Sequence, residues 1–401
     1  MSVLSTIGTE ARALWREGKG PSLLTIAGVW SILLGVRMSY PVLLPYLRDS
    51  FGLSLTVAGL LVTVLWLGAA LGQLPGGILA DRYSERLVMT AGTIMVAVAL
   101  MGVLVAPTSL TLFVATGVVG LGQSLYPIAR ITILSEIYPD RIGSALGVTM
   151  AMGDLGQTVL PPVAGILAAA IAWQAGLGFL IPTLLLAGVM LWVVLPGQAT
   201  TDNAVNPLSV ETARYVFVEL RQSNLLFVSF ILFLHILVWQ SFTGLYPTYL
   251  VNEKGLSSFM AGVLFSLFFA FGVIIKPVAG AAYDRIGMRS ALILVLIGPV
   301  GGLGFLPFVE GFWPLVGVTA LVSVMLGSGA ITQSFLSDAI SNDIQGTGLG
   351  VIRTATATLG AMGPVIFGGI ADHGYFDEGY LLLAVVLSVV ILLTLQLPRS
   401  A

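Results

Sequence analysis

The 401 residues are 57% hydrophobic and only 9% charged, whereas a soluble chain of this length carries about a quarter charged residues. A net charge of −2 offers no basic field for nucleic acid, and the absence of cysteine removes disulfides and thiolate metal sites. This much apolar surface exceeds what one water-soluble core can hide, so hydrocarbon must be the solvent for most of the fold.

Residues 1–21 are polar and mixed in charge, and the first apolar run follows them and continues for about 25 residues. That is too long for the core of a cleavable signal, so residues 1–21 read as a short cytoplasmic lead-in. A bilayer-crossing helix needs roughly 20 apolar residues. Twelve such spans are predicted: 22–47, 56–80, 87–106, 109–137, 143–171, 174–196, 224–250, 258–283, 289–308, 312–338, 346–371 and 380–397. The one long polar break, 197–223, is a cytoplasmic linker between halves 22–196 and 224–397, and 398–401 form a cytoplasmic tail. With the N-terminus inside, the cytoplasmic segments hold Arg12, Arg16, Lys19, Arg82, Arg86, Arg141, Arg214, Arg221, Arg285, Arg289 and Arg399, and the outer loops only Arg48 and Lys254. This asymmetry predicts both termini on the cytoplasmic side of the cell membrane.

The halves repeat at a constant offset of 203 residues without gaps. Gly52-Leu53-Ser54 falls on Gly255-Leu256-Ser257, and Ala58-Gly59 on Ala261-Gly262. Gly77, Asp81, Arg82 and Arg86 fall on Gly280, Asp284, Arg285 and Arg289. Gly143 and Gly147 fall on Gly346 and Gly350, and Pro161 and Gly165 on Pro364 and Gly368. One match is cheap, but a fixed offset across five helices is not. Two six-helix halves related by an axis along the membrane normal fit this pattern, with a solute site between them near mid-membrane.

Between spans 2 and 3 the chain reads GILADRYSER (77–86), and between spans 8 and 9 it reads GAAYDRIGMR (280–289). Here the sequence resembles the major facilitator superfamily, whose signature loop is G-x-L-A-D-R-x-G-R-[KR]. The resemblance covers residues 22–397 and implies an all-α membrane protein of twelve transmembrane helices in two pseudo-symmetric halves, a secondary transporter, usually monomeric. The second copy keeps a late glycine, Gly287. The first has Ser84 and Glu85 in place of Gly and Arg, which weakens the turn expected there. An Asp carboxylate can accept from the N-terminus of a neighbouring helix, and the Arg residues can pair with acids at adjacent helix ends. The expected result is an inner-gate latch, with Glu136, Asp338 and Arg353 as further members. A static loop held by ordinary surface ion pairs is the plainer alternative.

In span 5, Gly147, Gly156, Pro161 and Gly165 sit at the spacing of G-x8-G-x3-G-P-x2-G-G, a motif of drug and metabolite antiporters, with Leu160 and Ala164 replacing two of its glycines. Pro41 and Pro45 in span 1 are similar to the proline-bearing first helix of the same antiporters. Plain helix packing and kinking use the same residues.

Charge inside hydrocarbon is costly, so each buried case is a candidate functional residue. Arg37, Asp154 and His235 lie near the middles of spans 1, 5 and 7. Lys276 lies about 12 Å from the inner surface by helix rise, and Arg130 about two turns from the inner end of span 4. Three cations against one clearly buried acid suit an anionic solute, gripped by Arg through paired hydrogen bonds. Alternatively, Arg130 and Lys276 snorkel toward water, and Arg37 pairs internally with Asp154. Asp154 and His235 are the candidate proton carriers, although His235 also suits a neutral helix–helix hydrogen bond. At the 203 offset Gln73 maps on Lys276, Arg130 on Gln333 and Arg37 on Gln240, which argues for one polar cavity. Tyr40, Trp66, Gln123, Tyr126 and Tyr246 are candidate lining residues.

No ATP-binding loop, metal-ligand spacing, catalytic triad or soluble domain is visible, so neither an enzyme nor a cofactor is expected. The predicted function is secondary transport of a small organic solute, coupled to protons, with the cation surplus favouring an organic anion. Efflux of drugs or amphiphilic metabolites is the alternative. A membrane sensor or scaffold that moves nothing is the alternative of another class.

Overall fold

The computed structural model describes residues 14–15, 18–197, 223–339 and 345–397. The described chain is helical, in twelve successive passages: α1 (Gly20–Phe51), α2 (Leu55–Leu71 and Gln73–Arg82), α3 (Glu85–Leu104), α4 (Ser109–Ser124 and Tyr126–Ile137), α5 (Ile142–Ala170) and α6 (Trp173–Gly178 and Leu180–Val194). Then come α7 (Ser223–Asn252), α8 and α9 (together Ser258–Phe305), α10 (Phe312–Ser323 and Ser328–Ala339), α11 (Gln345–Gly360 and Gly363–Asp372) and α12 (Phe376–Thr394). Eight helical stretches are long and apolar enough by themselves to cross a membrane, and Ser258–Phe308 among them holds two of the expected spans.

The interruptions have local causes. The second pieces of α4 and α11 carry Pro127 and Pro364 in their first turn, where the missing N–H cannot continue the preceding helix. α8 and α9 are split at Gly287, whose φ of +71° and ψ of 170° is a conformation that favours glycine. The equivalent position in the first half, Ser84, solves the same turn differently. It is extended (φ 177°) and caps α3, accepting from Leu87 N at 3.2 Å. The departure from the signature loop therefore replaces a left-handed turn with a capped one.

Two compact units form. The first comprises Met1–Met38, Gly68–Leu160 and Leu177–Val205. Small residues bring its helices together: a Cβ on Gly68 would lie 2.8 Å from Gly117 O, and one on Gly122 would lie 2.8 Å from Val96 Cγ2. Arg86 at the start of α3 donates to Leu195 O at 3.3 Å, just past the end of α6, and its guanidinium lies 4.1 Å from the Trp192 ring.

The second unit comprises Ser39–Leu67, Pro161–Gly176 and Asn206–Ala401, so the far ends of α1, α2 and α5 pack with the second sequence half. Its core is aromatic: Phe242 stacks on Tyr246 (4.4 Å between centroids), and Tyr249 and Phe367 meet Tyr380 edge-on at 4.5 and 4.9 Å. Arg289 donates to Leu397 O at 3.4 Å, the counterpart of Arg86 at the end of α12.

Candidate functional site

In the first unit the polar residues gather where α1, α4 and α5 meet. Arg37, partly buried in the middle of α1, donates from Nε to Gln123 Oε1 at 2.9 Å. Gln123, itself 1% exposed, donates in turn to Leu33 O at 3.1 Å, so its amide is fixed from both ends. The Nη groups of Arg37 make no hydrogen bond among the described residues. The guanidinium is thus oriented through one edge and keeps donors free for a planar acceptor. The hydrogen bond of Arg37 goes to Gln123 and not to Asp154, so the internal pair considered from the sequence is not what anchors it. Asp154 instead accepts from Gln157 Nε2 at 3.4 Å.

Arg130 is 7% exposed, donates from Nη1 to Thr149 Oγ1 at 2.9 Å and lies 4.2 Å above the Trp30 ring. Trp30 stacks on Tyr126, whose hydroxyl donates to Ile26 O at 2.8 Å. Arg130 is therefore held in the interior by a cation–π contact and does not snorkel out. The close approach of α5 to α1 needs small residues. A Cβ on Gly153 would lie 2.7 Å from Trp30 Nε1, and one on Gly156 would strike Ser31 O. Gly147 has open space around it, so packing does not account for it. Gln73 donates to Ala69 O of its own helix, at 3.1 Å.

In the second unit His235 on α7 meets Ser328 on α10, with 2.6 Å between Nε2 and Oγ, and Ser328 Oγ lies 2.7 Å from Met325 O. The serine has one proton, and Met325 O can only accept, so that proton goes to the carbonyl. Nε2 of His235 must then be the donor to Ser328. Nδ1 is left as a bare acceptor, buried and without a hydrogen bond among the described residues. One turn on, Trp239 packs against Trp66 of α2 at 5.1 Å, and both indole N–H groups, together with Gln240 Oε1, are likewise buried without partners. Tyr246 shares a 2.7 Å hydrogen bond with Thr319, Tyr40 is fully buried, and Lys276 is partly buried. The side chain of Gln333 lies outside the described residues.

In the two loop motifs, the described arginine contacts are local. Gly77 is buried, and a Cβ there would touch Ile128, whereas Gly280 has open space. Arg86 and Arg289 bond main-chain carbonyls at the ends of α6 and α12, where acidic partners were expected. Each cation thus sits on the negative end of a helix within its own half. Arg82, Glu136, Asp284, Arg285 and Arg353 are exposed. The side chains of Asp81 and Asp338 lie outside the described residues, as do most of the 1–21 lead-in, the 197–223 linker and the tail.

Several partners were not legible in the sequence. Trp30, Thr149 and Ser328 have no signature by themselves and matter only because folding sets them on Arg130 and His235. Asp372 is another. At the end of α11 it accepts from Leu55 N at 2.6 Å, from Thr56 N at 2.7 Å and from the Thr56 hydroxyl. The signal that was there to read is the break in the repeat, since the equivalent residue is Ala169.

Comparisons with known proteins agree with this architecture. The family model "Major Facilitator Superfamily" matches residues 25–364 and 228–401. The chain is 25% identical over 379 residues to a hexuronate transporter of Bacillus subtilis, covering 90% of this chain and 89% of that one. It is 23% identical over 383 residues to a probable sulfoacetate transporter of Cupriavidus necator, covering 88% and 87%. The fold superposes on the crystal structure of a D-xylose–proton symporter with a TM-score of 0.75, at 15% identity, covering 94% of this chain and 98% of that one. The chain therefore belongs to the major facilitator superfamily, as a twelve-helix secondary transporter of the membrane and not an enzyme.

Proposed function

We propose that the chain carries a small organic anion across the cell membrane by alternating access, coupled to protons, as a monomer with both termini cytoplasmic. The six-helix halves 22–196 and 224–397 are the moving bodies, and the loops at 77–86 and 280–289 belong to the inner gate. The observation that carries this reading is Arg37: a guanidinium at mid-helix, oriented by Gln123 through Nε, with its Nη donors open to a carboxylate or sulfonate. Arg130 adds positive potential from its seat on Trp30. The relatives named for hexuronate and sulfoacetate, two organic anions, support the same substrate class.

His235 serves as a proton carrier in this reading. Its Nε2–H is engaged with Ser328, so a second proton enters at Nδ1 without breaking that bond. Asp154 is the second carrier.

The test is uptake of labelled carboxylates, including a hexuronate and sulfoacetate, by purified protein in liposomes under an imposed pH gradient. Saturable uptake is expected, weakened about 10- to 100-fold in Arg37→Ala, the loss of charge-assisted hydrogen bonds. Arg37→Lys restores only part, because an ammonium lacks the paired donors. His235→Gln should remove the response to the pH gradient while binding persists. Flux of cationic drugs that survives Arg37→Ala and disappears in Asp154→Asn would replace this reading with an exporter. No flux of any solute would favour the sensor.

A further inference from the structure

Asp372 sits at the water-exposed end of α11, and its carboxylate takes the first two amide hydrogens of α2, those of Leu55 and Thr56, together with the Thr56 hydroxyl. The third amide of α2, Val57 N, goes to Ser54 Oγ at 3.3 Å, and the fourth, Ala58 N, to Ser54 O at 2.9 Å. The amides of Leu55, Thr56 and Val57, which the helix itself leaves unsatisfied, are thus all taken, two of them by a residue more than 300 positions away. A helix N-terminus carries partial positive charge, so a carboxylate there is favoured by field as well as by hydrogen bonds.

Beneath this cap the two helices touch backbone to backbone. A Cβ on Gly59 would strike Pro364 O, and one on Gly368 would strike Leu55 O. Close by, a Cβ on Gly244 of α7 would lie 3.1 Å from Pro364 Cγ and 3.4 Å from Val62 Cγ1 of α2. α2 belongs to the first sequence half, and α7 and α11 to the second. Opening this end of the transporter therefore requires α2 to leave α11, and Asp372 to give up all its bonds to α2 together.

The geometry points to Asp372 as a gate latch: a side-chain cap reaching from the second half onto the first, made when the end of the molecule that carries the start of α2 and the end of α11 is shut and broken when that end opens. The loop motifs at the other end of the helices do not supply this function, and it does not depend on which solute is carried.

The test uses the lack of native cysteine. Val62 is fully buried in the seam between α2 and α7. Val62→Cys is made alone and combined with Asp372→Ala, Asp372→Asn or Thr56→Val, and its labelling by a maleimide is timed in purified protein without substrate. A control thiol, Val322→Cys, is buried inside the second half, where a Cβ on Gly302 would lie 2.7 Å from Val322 Cγ2. Asp372→Ala should speed labelling at position 62 roughly 2- to 30-fold, as loss of a helix cap does. Asp372→Asn should fall between that value and the parent. Thr56→Val, which removes one donor and keeps both amide bonds, should raise it least, and it also serves if Asp372→Ala fails to fold. Position 322 should not respond. Unchanged labelling at 62 in every folded variant would overturn the latch. An equal rise at 62 and 322 would also overturn it, because it would mean general loosening. Both readouts are independent of the anion proposal, since no solute is present.

Discussion

Two helix crossings in the second unit are copies of one another, and they are built to different tolerances. The crossing of α2 with α11 uses Gly59, Pro364 and Gly368. The crossing of α8 with α5 uses Gly262, Pro161 with Pro162, and Gly165, the same positions 203 residues away. At the first, a Cβ on either glycine would collide with a carbonyl. At the second, a Cβ on Gly165 would lie 3.7 Å from Ser258 O and 3.1 Å from Val42 Cγ1, and one on Gly262 would lie 3.7 Å from Pro162 Cα. Both helix starts carry their own serine cap, Ser54 for α2 and Ser257 for α8, the latter accepting from Met260 N at 3.3 Å. Only the first carries a second cap from across the crossing, where Asp372 stands in place of Ala169. A repeat in sequence therefore preserves the path of the helices without preserving what holds them. The pair consists of one tight, polar-capped contact and one loose, apolar one.

The difference can be broken most directly at the tight crossing. Gly59→Ala and Gly368→Ala each force a methyl group into a main-chain carbonyl, and overpacking of this kind costs about 1–3 kcal/mol. The expected outcome is a clear fall in the thermal midpoint, or a shift to the open arrangement read as faster maleimide labelling at Val62→Cys. Next in size is removal of the latch by Asp372→Ala, which acts on the cap but leaves the backbone contact intact. The matched change at the loose crossing should be milder. Gly262→Ala meets neighbours only at ordinary contact distance and gains helix propensity, so its midpoint should stay within about 1 kcal/mol of the parent. A midpoint loss there as large as at Gly368→Ala would show the two crossings to be equivalent after all. The smallest effect is expected from adding a latch: Ala169→Asp brings a carboxylate toward the start of α8 and should stabilise by about 0.3–1 kcal/mol at low salt, fading as salt is raised.

Much of the fold was legible without coordinates. A composition with few charges, twelve apolar runs and a constant offset determines a helical membrane protein of two related halves, because hydrocarbon permits a spanning chain few ways to satisfy its backbone. The cations Arg37 and Arg130 within apolar runs were legible for the same reason, since a charge in such a run stands out by its cost. Their partners were not. Gln123, Thr149 and Trp30 become ligands of those cations only when α1, α4 and α5 meet, and of the readings open for Arg37 in the sequence none named the Gln123 amide that folding brings to its Nε. Arg86 and Arg289 were singled out by their motif, but the motif does not say that each bonds a carbonyl at the end of a helix about 108 residues further on.

Sequence alone determined, then, that this chain spans a membrane, that it does so twelve times in two copies, and where along it charge is buried. These are properties of single residues and of their spacing, set by the cost of moving each group out of water. Tertiary structure alone decided which carbonyl each arginine meets, which nitrogen of His235 stays open, and that Asp372 closes over the first turn of a helix at the other end of the chain. A hydrogen bond depends on a few tenths of an ångström between groups whose separation in sequence carries no information, and only the packed helices set that distance.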